Sequence, residues 1–128
     1  MSDIINVIDG LEGLVSMQGV SKDEIAVAEK ALGLSFAVDY TAYLERYGLA
    51  SAKHIEITGL EKSKRLNVMD VTLSERQKKL LPADMYVVDN TGIEGILILQ
   101  NAMGEFFELQ NGKAKKIYNN LSEYLKSF

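Results

Sequence analysis

The sequence predicts an α+β domain: a mainly antiparallel sheet, helices packed at one side of it, and a C-terminal helix. Three observations carry that class. Residues 29–48, EKALGLSFAVDYTAYLERYG, read as the end of one capped helix, a short apolar connection and a second helix with an aromatic stripe. From residue 53 onward the texture shifts to short apolar or alternating runs separated by turn residues. Residues 121–128 return to helical spacing. Helices kept apart from a run of strands, without regular strand–helix alternation, indicate α+β and not a doubly wound sheet.

Taken in order, Ser2 or Asp3 can cap a short first helix with Ile4, Ile8 and Leu11 inward, and Gly10 and Gly13 weaken its far end. Ser21-Lys22-Asp23-Glu24 is a capping box. It opens a helix with Ile25, Ala28 and Leu32 on one face and Gly33 at the position after its end. The next helix runs from about Ala37 to near Gly48. Tyr40, Tyr43, Leu44 and Tyr47 fall at i, i+3, i+4, i+7, so their rings are expected in the core with hydroxyls reaching its rim.

Residues 53–58, KHIEIT, alternate like a strand closed by Gly59, and residues 65–71 read as a second strand. Thr72-Leu73-Ser74-Glu75 reads as another capping box, opening a short helix that must end before Pro82. Residues 85–88 and 95–100 are strands around the turn-like DNTGIEG. Ile96, Leu97, Ile98 and Leu99 lack polar alternation, which predicts a central strand covered on both faces. Residues 105–109 and 113–118 form a hairpin through Asn111-Gly112. Phe106 and Phe107 are adjacent on a strand and therefore point to opposite faces. Asn119 or Asn120 caps a last helix with Leu121, Tyr124, Leu125 and Phe128 on one face.

Composition bounds the function. The chain has 128 residues with 47% hydrophobic and 25% charged, enough for one domain over 1–128 with its own core. No cysteine is present, so disulfides, thiolate metal sites and a cysteine nucleophile are excluded. The N-terminus lacks a basic n-region, and no apolar run approaches the roughly 18 residues of a membrane span. A cytoplasmic location without membrane contact is expected. The formal net charge of −4 argues against a dedicated nucleic-acid binder and is compatible with a basic protein partner.

Chemistry is sparse. His54 is the only histidine, too little for catalysis or a zinc site without partners. Asp89, Asn90 and Glu94 fall in a turn whose glycines account for them, and the spacing fits neither a calcium loop nor a phosphate loop. Lys113, Lys115 and Lys116 form the densest basic cluster, best explained as protection of an exposed sheet edge. No catalytic, cofactor-binding or metal-ligating set is therefore assigned.

The segment Leu32-Gly33-Leu34-Ser35-Phe36-Ala37-Val38-Asp39-Tyr40, continuing through Tyr43-Leu44 to Tyr47-Gly48, resembles the signature of the SUKH superfamily. Leu81-Pro82-Ala83-Asp84, running into Met85-Tyr86-Val87-Val88 and Asp89-Asn90-Thr91-Gly92, is similar to that family's entry into its central hairpin. Gly104-Glu105-Phe106-Phe107, followed by Asn120-Leu121-Ser122-Glu123-Tyr124-Leu125, resembles its glycine–glutamate–aromatic strand and closing helix. The likeness covers about residues 21–128. Ala37 departs from it, standing where the family usually has proline, and the loop after Gly48 lacks the common second glycine.

The resemblance implies a non-catalytic binding protein that needs no cofactor. Many bacterial members are immunity factors that neutralise a toxin, often a nuclease or deaminase, by direct contact. On this reading the partner is a cognate, basic toxin and the chain a monomer or weak dimer. Asp84, Asp89, Glu94, Glu105 and Glu108 are the candidate acidic contacts, and Tyr86 and Phe106 the candidate anchors. The alternatives are a general interaction module of a regulatory pathway and a small ligand-binding domain.

Overall fold

The computed structural model describes residues 4–53, 55–60, 66–78, 81–90 and 95–128. Helix α1 (Ile4–Asp9) buries Ile4 and Ile8, and Leu11 packs beyond its end. Strand β1 (Val15–Ser16) leads to α2 (Lys22–Leu32). Ser21 caps α2 as the sequence predicts: the Glu24 amide donates to Ser21 Oγ at 3.1 Å and the Ser21 amide to Glu24 Oε1 at 3.1 Å. Gly33 ends the helix in the left-handed region (φ 68°, ψ 31°). The Phe36 amide then donates to the Glu29 carboxylate at 2.8 Å, folding the apolar connection back on α2.

Helix α3 (Val38–Tyr47) buries the expected stripe of Tyr40, Tyr43, Leu44 and Tyr47. Its N-cap, Ala37, supplies no side-chain bond, the cost of lacking a polar capping residue. Strands β2 (Ala50–Ala52) and β3 (Ile55–Ile57) follow and pair antiparallel, so the single strand expected over 53–58 is half of a hairpin. With β1 they make a three-stranded sheet ordered β1-β2-β3.

The strand expected over 65–71 is overturned. Asn67 Oδ1 accepts the amides of Met69 at 2.9 Å and Asp70 at 3.2 Å, and α4 (Val68–Lys78) begins there. Residues 61–65 lie outside the described residues. Thr72 and Glu75 therefore stand mid-helix and make no capping box. Val68, Val71, Thr72 and Glu75 are the buried face of α4, at i, i+3, i+4, i+7. Two of those four positions are polar, so hydrophobic periodicity alone does not show the helix.

Four strands complete the second sheet in the order β4 (Met85–Asn90), β5 (Ile96–Asn101), β6 (Phe106–Gln110), β7 (Lys113–Tyr118), all antiparallel. The β6–β7 turn has Asn111 at φ 55° and Gly112 at φ 76°, the backbone an Asn-Gly hairpin requires. Helix α5 (Leu121–Lys126) closes the chain, capped by Asn120, whose Oδ1 accepts the Glu123 amide at 2.8 Å. Phe128 lies beyond the helix and is exposed, with its ring edge-on to Tyr124.

Strand β5 is central and buried on both faces, as its apolar run predicts. Ile98, Tyr86, Val88 and Phe106 enter a larger core shared with α1, α2, α3 and α5. Leu97, Leu99, Val87 and Leu109 enter a smaller one with Val71 of α4 on the opposite face. Most helices thus lie on one side, and α4 departs from them by packing along β4 and reaching the second face. Phe106 and Phe107 divide between the two cores accordingly.

The tyrosine stripe closes the joint between the sheets. Tyr40 Oη donates to the Thr58 carbonyl at 2.9 Å, and Tyr43 Oη is shared between the carbonyls of Thr58 (3.0 Å) and Ile57 (3.2 Å). Tyr43 Oη also accepts the Ala50 amide at 2.9 Å. The Thr58 amide donates to Val88 O at 2.8 Å, and Thr58 Oγ1 to Val87 O at 2.8 Å. The Tyr40 and Tyr43 hydroxyls are thus fully inside, not at the rim, and satisfy backbone groups that a break between sheets would leave unpaired. Burial raises both phenols well above the ordinary tyrosine range. Tyr47 does lie nearer the surface: its hydroxyl donates to Asp9 Oδ1 at 2.6 Å, and burial with that bond pushes it up to about 12.

Candidate partner-binding cleft

The first turn of α3, the β5–β6 turn and the start of α5 converge on a cleft of about 820 Å³. Ala37, Val38 and Ala42 form one wall, Ala102, Met103 and Gly104 another, and Asn120, Glu123 and Lys126 the third. Val38 is 86% exposed and Met103 84%, the two most exposed large apolar side chains among the described residues. Side chains of this size gain from leaving water, which makes this apolar pair beside a concavity the candidate contact surface.

Local bonding holds each wall. In the β5–β6 turn, Asn101 Oδ1 accepts the amides of Met103 (3.1 Å) and Glu105 (3.0 Å), and Asn101 Nδ2 donates to Glu105 Oε1 at 3.0 Å. Gly104 takes φ 95°, which favours glycine, and the turn presents Met103 outward. Glu105 also accepts from Lys116 Nζ at 3.0 Å; the Asn101 and Lys116 bonds lower its carboxyl below the usual range.

One carboxylate joins the three walls. Asp39 Oδ1 accepts from Gln100 Nε2 at 2.9 Å and Oδ2 from the Leu121 amide at 2.9 Å, linking α3 to β5 and to the first residue of α5. The same Gln100 nitrogen donates to the Gly104 carbonyl at 3.1 Å. Gln100 Oε1 accepts from Tyr86 Oη at 2.7 Å, and Tyr86 Oη accepts the Ala37 amide at 3.0 Å. A continuous polar network thus lies behind the cleft and reaches its lining at Asp39 and Gly104, with every named group partnered.

The residues expected to touch a partner do not gather on one surface. Tyr86 and Phe106 are corrected outright: both rings are fully buried, Tyr86 among Phe36 and Tyr40 and Phe106 stacked on Tyr124 at 5.0 Å. Neither is accessible as an anchor on the folded surface. Asp89 is also buried, its Oδ2 accepting from Tyr124 Oη at 2.9 Å. The physical reason is a bulge between Val87 and Asp89 that turns Asp89 toward the helix side. Burial, opposed by the Tyr124 bond and reinforced by Glu56, pushes its carboxyl up to about 6.

Of the remaining acids, Asp84 is exposed before β4, and Glu108 is half-buried opposite Lys115 in the β6–β7 register. Glu105 borders the cleft through Gly104. Glu94 and His54 lie outside the described residues. Sequence reasoning assigned no role to Val38, Asp39, Gln100 or Met103. Gln100 carried a usable signal: a polar residue ending an apolar central strand needs a buried partner. Met103 carried none, because only the turn shows which way it points. Among the described residues, no group of three or more His, Asp or Glu side chains is arranged to hold a metal ion, and no helix is long and apolar enough to cross a membrane.

A protein-family model, SUKH_5, described as SMI1-KNR4 cell-wall, matches residues 1–128. The chain belongs to the SUKH superfamily. The SUKH match spans every element from α1 to α5, so the cleft is built wholly from segments inside the family domain. No curated protein matches the sequence.

Proposed function

We propose that this SUKH protein is an immunity factor that binds a cognate bacterial toxin domain in the cytoplasm and neutralises it by direct contact, without catalysis or a cofactor. The observation that carries the reading is the exposed Val38–Met103 pair lining a cleft whose walls are joined by Asp39. Family membership supports it, since the resemblance on residues 32–48, 81–92, 104–107 and 120–125 points to binding proteins.

The occupant is a basic nuclease or deaminase domain that places an apolar side chain between Val38 and Met103. The net charge of −4 favours encounter with a basic surface, with Asp84, Glu105 and Glu108 as acidic contacts around it. Such an interface acts by occlusion: a central apolar anchor supplies most of the affinity, and charges at its margin steer association. The test is co-expression with the product of a neighbouring toxin-like gene, read as growth rescue and co-purification. Failure of both overturns the immunity reading.

A regulatory adaptor is the second reading, favoured by the cell-wall description of the matching family. Capture of several non-toxic partners through the same cleft would support it over immunity.

A further inference from the structure

Strand β7 ends its sheet, and its first four residues are exposed. The other outer strand of that sheet is covered: the Val87 amide of β4 donates to Thr72 Oγ1 at 3.0 Å, and its carbonyl accepts from Thr58. Strand β1 is only two residues long. The six-residue β7 is therefore the longest open edge among the described strands.

Register shows which of its groups are open. Gln110 and Lys113 flank the two-residue Asn111-Gly112 turn, which makes them a hydrogen-bonded pair. Pairs then alternate, so Ala114 and Lys116 direct their N–H and C=O groups away from β6. Outside the β6–β7 ladder itself, no backbone hydrogen bond among the described residues reaches them.

The side chains select what can pair there. Lys113 and Lys115 stand on one face of β7 and Lys116, which also donates to Glu105 Oε2 at 3.0 Å, on the other. A second copy of β7 would set lysines against lysines, which is unfavourable. A nucleic-acid strand lying on one face would meet only part of the set. An added β-strand meets both faces at once, and acidic residues on it would face all three lysines. We propose that β7 accepts an acidic, extended segment of a partner protein as a fifth strand of the sheet. This surface is separate from the cleft and independent of the immunity reading.

The probe is a synthetic peptide of repeated valine-glutamate-glutamate, which carries glutamates on both faces of an extended strand, with its glutamate-to-lysine counterpart and oligothymidylate as comparisons. Backbone amide NMR and hydrogen exchange are read on the full chain. The expected result is shifts centred on β7 and slowed exchange at Ala114 and Lys116. Lys113→Glu/Lys115→Glu is expected to weaken binding by about tenfold or more. Ala114→Pro, which removes an outward N–H without touching the β6 ladder, is expected to abolish it. The double variant changes only exposed side chains and serves if the proline variant fails to fold. No binding of the acidic peptide would overturn the proposal, as would equal binding of the lysine peptide, stronger binding of oligothymidylate, or indifference to Ala114→Pro.

Discussion

Asp89 is the residue at which burial and charge conflict most directly. Its folded carboxyl titrates near 6 against an ordinary 3.8, so the folded protein holds this proton more tightly than the unfolded chain does. The stability it contributes is complete below about pH 3.8 and is lost as pH rises through 6. Asp89→Asn keeps an acceptor for Tyr124 and removes the charge. Relative to the parent, the variant should therefore gain roughly 2 kcal/mol between pH 4 and pH 7, measured by urea unfolding at each pH. An unchanged difference across that range would contradict the burial. Tyr43 poses the converse case. Tyr43→Phe keeps the ring but strands the Ala50 amide beside the Thr58 carbonyl, and should cost about 1–3 kcal/mol in the same assay. The stripe's helical spacing was legible; its hydroxyl partners were not, because they come from a sheet joint distant in sequence.

At the scale of elements, capped and strongly periodic segments could be read directly. Helix α2 follows from Ser21, Glu24 and Gly33, and the β6–β7 hairpin from Asn111-Gly112. Helix α4 could not, because Thr72 and Glu75 occupy inward positions where periodicity expects apolar residues. Thr72 serves β4 from there, and Thr72→Val should leave the Val87 amide unpaired at about 1–3 kcal/mol. Thermal or urea denaturation checks this; a neutral effect would mean the β4 edge is satisfied in another way. Hairpin β2–β3 was half legible, because Ala50-Ser51-Ala52 carries little strand propensity and is held by its neighbours.

For the whole molecule, family and fold class were legible because the motifs at residues 32–48, 81–92, 104–107 and 120–125 occur in order along nearly the entire chain. The candidate site was not. Its walls come from three segments far apart in sequence, joined by Asp39 and Gln100, and its mouth is defined by where two apolar side chains point. Acidic and aromatic residues are prominent in a sequence, yet Tyr86, Phe106 and Asp89 are buried. On the proposed reading, Val38 and Met103 form the contact surface for a basic toxin domain. Its most direct test is calorimetric titration of the purified chain with a catalytically inactive form of the neighbouring toxin, comparing the parent with Val38→Glu and Met103→Glu. Both side chains are exposed, so folding should be unaffected, and each substitution should weaken binding by about 2 kcal/mol or more. Parent-like affinity in both variants would contradict the claim.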